Sequence, residues 1–211
     1  MNMSLFRRFL YPIVKRSTPC TVINIHIDYD QNALADFTDT HRTYCSRFNY
    51  EYRQIQTNLL PGAKPTWSKH VAALEVIDDR DAVMIIDSDA QILPDCPGFD
   101  RLLNANSNHD LFLALGHSFR PNAGVIMLRG RSKASVLFLE TLLAERESEV
   151  PLKDKAVPGG DNGHVINLLR RPKFREKLFL LSPVWNNTTQ PTDWDYIRHY
   201  TGPMKAHTPI A

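Results

Sequence analysis

The sequence is poor in the features that mark several large protein classes. It holds only three cysteines in 211 residues, Cys20, Cys45 and Cys96. They cannot all pair among themselves, and no C-x-x-C or cysteine–histidine cluster accompanies them, so a reducing, cytoplasmic compartment is expected. Long apolar runs are missing too, and no segment is long enough to span a bilayer. Charge of one sign is not in excess: 25 Lys+Arg stand against 23 Asp+Glu, a formal net charge of +2. Without a dense basic stripe, general nucleic-acid binding is not expected. Internal repeats, low-complexity tracts and long linkers are absent as well. What remains, 43% hydrophobic and 23% charged residues, is the composition of a folded chain rather than a disordered one.

The expected organisation is a leader at 1–18 followed by one domain at 19–211, standing alone or within a longer protein. The leader mixes Arg7, Arg8, Lys15 and Arg16 with the short apolar run Phe9–Val14, interrupted by Pro12. It reads as a weakly ordered segment, or as one that touches an anionic membrane surface and places the protein at the membrane periphery.

Strand-like and helix-like stretches then alternate. Strands are expected at 21–27, 50–55, 82–86, 111–117, 122–129, 178–181 and 196–200, and helices at 32–47, 67–77, 131–146 and 161–169. Thr66 is expected to cap the second of these helices. Ala82-Val83-Met84-Ile85-Ile86 is apolar throughout, as a strand covered on both faces should be. The pattern implies an α/β three-layer sandwich with a central, mainly parallel sheet flanked by helices.

Chemistry concentrates where that apolar run ends, at Asp87-Ser88-Asp89. Ligands of open α/β sheets bind beyond the carboxyl ends of the strands. Two carboxylates one residue apart in an extended chain point the same way and form a hard-oxygen site for Mn²⁺ or Mg²⁺. Alone, the pair also fits a solvated turn. Near the C-terminus, His199-Tyr200-Thr201-Gly202-Pro203-Met204-Lys205 offers an imidazole for such a site, a glycine that lets backbone approach a phosphate, and a lysine to place charge on it.

Together these segments resemble the GT-A fold, nucleotide-sugar glycosyltransferases of families 8 and 34. Those families include glycogenin and the lipopolysaccharide galactosyltransferases, and the α-galactosyl-, mannosyl- and xylosyltransferases. An aspartate-x-aspartate after an apolar strand and a late His-x-x-Gly-x-x-Lys are their shared pattern. Residues 40–52, Asn122-Ala123-Gly124, Asp161-Asn162 and Trp185-Asn186 are similar to further family elements, so the resemblance spans roughly 21–205. After Lys205 the families usually read Pro-Trp, where this chain has Ala206-His207.

The resemblance implies a metal held by Asp87, Asp89 and His199. It implies donor contacts from Asp28, Tyr29, Lys69, Ser88, Gly202 and Lys205, and sugar or acceptor contacts from Asn122, Ala123, Asn162, Trp185 and Asn186. Asp161 is the candidate catalytic carboxylate beside the anomeric carbon, and equally a candidate helix cap. Lys69 could instead be a solvated first-turn lysine, and Trp185 simply core. The implied reaction moves a hexose or pentose from a UDP-sugar to a glycan, glycolipid or glycoprotein acceptor, with retention of configuration. Two other readings stand beside it. One is a haloacid-dehalogenase-like phosphatase using Asp87 and Asp89, although that class places its acidic pair on the first strand and has threonine where this chain has Gln91. The other is a binding module without turnover.

Overall fold

The structure, a computed structural model, describes residues 20–27, 35–156 and 160–209. The leader at 1–18, with the membrane contact expected of it, and the candidates Asp28 and Tyr29 lie outside the described residues.

Six strands form the central sheet in the order β2-β1-β3-β6-β5-β7. They are β1 (Thr21–Ile25), β2 (Glu51–Ile55), β3 (Ala82–Ile86), β5 (Leu111–Leu115), β6 (Pro121–Arg129) and β7 (Leu178–Leu181). β1 pairs in parallel with β2 and β3, and β5 in parallel with β7. β6 alone runs against its neighbours β3 and β5. A two-stranded antiparallel ribbon, β4 (Ala90–Ile92) with β8 (Ile197–His199), stands apart from the sheet. The helices are α1 (Ala35–Phe48), α2 (Ser68–Val76), α3 (Phe99–Ala105), α4 (Lys133–Ala144), α5 (Asn162–Leu169) and the single turn α6 (Pro172–Arg175).

Alternation along the strands divides the core into two layers. Val83 and Ile85 of β3, with Ile23, Ile126, Leu128 and Leu113, pack against α2, α4 and α5 through Ala73, Phe138, Leu142 and Val165. Met84 and Ile86, with Val22, Val125, Met127 and Phe112, pack on the other side against Tyr44 of α1, Phe99 of α3, Ile92 of β4 and Ile197 of β8. All five residues of β3 are buried. Each of its larger side chains contributes about 1.5–3 kcal/mol by leaving water.

Several boundaries differ from expectation. β1 ends at Ile25 and β5 at Leu115. α3, α6 and β4 were not expected, and α4 starts after Ser132, whose hydroxyl accepts from the Ala134 and Ser135 amides at 3.2 and 3.4 Å. Thr66 does not cap α2. It lies inside a 3-10 turn, Pro65–Trp67, that leads into the helix, and its hydroxyl is bonded elsewhere.

Among the described residues no helix is long and apolar enough to cross a membrane.

Candidate active site

Three topological features converge at the carboxyl end of β3. The strand hands over to Asp87-Ser88-Asp89. Because β6 is antiparallel, its first residues lie at that same edge, and the Asp87 amide donates to the Gly124 carbonyl at 2.8 Å. The β4–β8 ribbon pairs Ala90 with His199, and the Tyr200 amide donates to the Asp89 carbonyl at 2.9 Å. Residues more than a hundred positions apart are thereby fixed side by side.

His199 Nε2 lies 3.1 Å from Asp89 Oδ1 and 3.8 Å from Asp87 Oδ2. One ligand atom from each of the three residues falls within 4.8 Å of the others. Two carboxylate oxygens and an imidazole nitrogen suit Mn²⁺ or Mg²⁺. The ring is oriented from behind. Asn186, fully buried, donates through Nδ2 to Asn122 Oδ1 at 2.9 Å, which leaves its Oδ1 to accept from His199 Nδ1 at 3.1 Å. With the proton held on Nδ1, Nε2 is the nitrogen that faces the carboxylates. Burial alone would lower the His199 pKa, but its hydrogen bond to Asp89 and the charges of Asp89 and Asp87 outweigh it and raise the value.

Gly124 explains how the ring fits. A Cβ there would lie 2.0 Å from His199 Cε1. The third residue of Asn122-Ala123-Gly124 is thus the floor on which the imidazole rests.

A second cluster adjoins the first. Lys69, wholly buried, donates from Nζ to Asp87 Oδ1 at 2.6 Å, meets Asp161 Oδ2 at 3.0 Å, and donates to the Ala123 carbonyl at 3.0 Å. It is therefore not a solvated first-turn lysine. Burial would lower its pKa, but the two carboxylates outweigh that and raise it, so the amine stays charged. Burial pushes Asp87 up against the opposing pull of Lys69 and His199. Asp161 moves the other way: burial would raise it, yet the Lys69 charge and the His70 hydrogen bond hold it well below the usual carboxylate range.

Asp161 stands at the start of α5 but makes no side-chain capping bond. The expected helix cap is therefore not made. Its oxygens turn to Thr66, Lys69 and His70.

These groups line a cleft of about 760 Å³. Asp87, Ser88, Asp89, Asn122, Ala123, Asp161, Asn162 and His199 are all in its wall. Asn162 Oδ1 accepts from the Ala123 amide at 2.8 Å, tying α5 to β6. Five described candidates stand outside the wall, among them the wholly buried Lys69. Asn186 supports His199 from behind. Trp185 is buried in the core, edge-on to Tyr196 at 5.0 Å, so it has no open face for a sugar. Gly202 packs against the His117 ring with φ +54°, and Lys205 is exposed on the 3-10 segment Gly202–His207.

Three residues of the site escaped sequence reasoning. His70 bonds Asp161, and its signal was the run Thr66-x-x-Lys69-His70 at helical spacing. His117 and Arg120, on the β5–β6 turn, also line the cleft, and no local pattern marks them.

No protein-family model matches the chain, and no curated protein sequence matches it. Solved structures do. The glycosyltransferase involved in glycosylation of the major capsid of PBCV-1 superposes with a TM-score of 0.66 at 15% identity, over 90% of this chain and 96% of its own. The galactosyltransferase LgtC, solved with donor and acceptor sugar analogues, gives 0.56 at 14% identity over 87% of each chain. Mouse xyloside xylosyltransferase 1 gives 0.55 at 11% identity, over 91% of this chain and 99% of its own.

The fold is that of the GT-A glycosyltransferases. The sandwich with its mainly parallel sheet agrees with the architecture expected from the sequence. Within this glycosyltransferase fold the Asp87–Asp89–His199 group occupies the end of the third strand, beside the turn where β6 begins.

Proposed function

We propose that the chain is a metal-dependent glycosyltransferase that moves a hexose or pentose from a UDP-sugar to a glycan, glycolipid or glycoprotein acceptor. The observation that carries this reading is the ribbon register that brings His199 to Asp89 and Asp87 in the wall of the cleft, on a glycosyltransferase fold.

Asp87, Asp89 and His199 would hold the divalent cation, Mn²⁺ or Mg²⁺. When bound, that ion supplies positive charge against the diphosphate leaving group. Asn186 holds the His199 ring so that Nε2 is presented without rotation. Lys69 offsets the charges of Asp87 and Asp161 from behind, which lets two carboxylates share one dry wall. Asp161 lines the cleft as an ionised carboxylate, suited to face the positive charge that develops at the anomeric carbon. Asn122, Ala123 and Asn162 border the same space and offer groups for sugar hydroxyls. Retention of configuration is the outcome this reading carries over from families 8 and 34.

The phosphatase alternative loses its footing, because the acidic pair follows β3 and the likeness is to glycosyltransferases. The test is UDP release from UDP-galactose, UDP-glucose and UDP-xylose, with Mn²⁺ or with excess EDTA. Metal-dependent release from at least one donor, lost in Asp89→Asn, is expected. Full activity of that variant in EDTA would refute the reading, and binding of a donor without any hydrolysis or transfer would favour a non-catalytic module.

A further inference from the structure

Asp161 is gripped from one short segment. Thr66 Oγ donates to its Oδ1 at 3.2 Å. Its Oδ2 receives Lys69 Nζ at 3.0 Å and His70 Nε2 at 2.7 Å. Residues 66, 69 and 70 are spaced i, i+3, i+4, the spacing that puts three side chains on one face of a helical turn. A lysine between two carboxylates is accounted for by charge. The histidine is not.

His70 is wholly buried, and among the described residues its Nδ1 has no hydrogen-bond partner. A ring hydrogen-bonded, among the described residues, to Asp161 alone is an expensive way to fill a core position next to Trp67, where an apolar residue of similar size would leave no orphaned nitrogen. The Nε2 contact at 2.7 Å to a carboxylate requires that Nε2 carry the proton, so the ring donates. Burial lowers the His70 pKa and keeps Nδ1 bare.

The second feature is what Asp161 gives up. At the start of α5 an aspartate side chain normally accepts from the free amides of the first turn. Here the carboxylate is turned away from them and toward α2. Some interaction must hold it there against the local alternative. Lys69 alone would fix a distance but not an orientation, because an ammonium is a compact point charge with rotatable donors. The planar imidazole and the Thr66 hydroxyl fix both oxygens.

We propose that His70 is a positioning residue for Asp161, holding that carboxylate out of the helix-capping position and in the cleft wall in the orientation used for sugar transfer. The proposal rests on the reading of the cleft as a glycosyl-transfer site. His70 touches no reacting atom. It acts through Asp161, and the property it sets is turnover rather than donor affinity.

Methionine and glutamine test this cleanly. They have the same reach and differ by the terminal amide, which can donate where Nε2 does. The assays are calorimetric binding of UDP-galactose, UDP-glucose and UDP-xylose with Mn²⁺, and the kcat of UDP release. His70→Met is expected to retain donor affinity within about threefold and to lose at least tenfold in kcat. His70→Gln is expected to return to within about threefold of the parent. Equal loss in both variants would reduce His70 to a packing residue and overturn the proposal, and so would parental kcat in His70→Met.

A crystal structure of His70→Met separates this proposal from the function it rests on. Asp161 swung onto the amides of Gly163 or His164 is expected even if no donor is turned over. If the parent protein releases no UDP, the glycosyltransferase reading fails, and the Asp161 position alone decides the role of His70. An unmoved carboxylate, still on Thr66 and Lys69, would overturn it.

Discussion

Gly124→Ala perturbs the proposed metal site without removing any of its ligands. Gly124 lies within β6 at an ordinary extended conformation, so the backbone accepts alanine. The added methyl would meet His199 Cε1 at 2.0 Å and Nδ1 at 2.3 Å. Ordinary contact begins at 3.4 Å, so the ring must retreat by about 1.4 Å. That displacement pulls Nδ1 from Asn186 and swings Nε2 away from Asp89. Metal ligands tolerate about ±0.2 Å, so a shift of this size removes His199 from any shared site. Disturbing the groups that orient a ligand typically lowers metal affinity by about 10–100-fold, and losing the ligand should reach at least the upper end. Overpacking costs about 1–3 kcal/mol of stability, and at this chain length each kcal/mol lowers Tm by roughly 2–4 °C. The assays are Mn²⁺ titration by calorimetry and thermal denaturation on the same preparation. A weakened Mn²⁺ affinity in a protein still folded at 25 °C is expected. Parental Mn²⁺ affinity in Gly124→Ala would refute the placement of His199 as a ligand.

Other outcomes follow from the same geometry. Lys69→Met leaves Asp87 and Asp161 without their shared cation. Removing one partner of a buried ion pair typically costs about 3–5 kcal/mol, and the lower figure applies because the Asp87 side chain is 26% exposed. Thermal denaturation should show a loss of roughly 6–12 °C, and a change smaller than about 2 °C would contradict the buried pairing. In metal-free protein, the raised pKa of His199 contributes stability that is fully present below about pH 6.5 and is lost as pH rises through the folded value. Mn²⁺ affinity should run the other way, increasing over that range as Nε2 releases its proton. A Tm profile of metal-free protein that is the same in parent and His199→Asn would contradict this. Asn186→Leu should weaken Mn²⁺ binding by about 10–100-fold while all three ligands remain, and unchanged binding would show that the ring needs no such support.

Much of the sheet was legible because its strands are encoded by local apolarity. Ala82–Ile86 and Leu178–Leu181 were bounded correctly from that signal alone. Direction is another matter. β6 is as apolar as β3 and β5 on either side of it, and nothing in Val125-Ile126-Met127-Leu128 states that it runs against them. Yet this reversal is what carries Asn122 and Gly124 to the Asp87 edge. α3 follows Pro97-Gly98 and ends among Asn104, Asn106 and Asn108, so its seven residues read as loop. β4 has three residues, too few for periodicity to register.

At the site the pattern is similar. Asp87, Asp89 and His199 were found because their residue types suit one metal and because the order of motifs resembles two families. The supporting roles were not legible. Thr66 was expected to cap a helix, and Asp161 to cap another or act in catalysis. Neither side chain caps; the two meet each other across 95 positions of sequence. Of the two places expected for Trp185, a sugar-stacking face or the core, it takes the core, against Tyr196. A partner unremarkable in sequence decides where a side chain points.

The most direct measurement is anomalous diffraction from a crystal soaked with Mn²⁺ and UDP. One manganese peak bonded at once to Asp87, Asp89 and His199, with diphosphate oxygens completing its shell, is the expected result. A peak elsewhere, or none at saturating Mn²⁺ and UDP, would contradict the claim that these three side chains form one metal site.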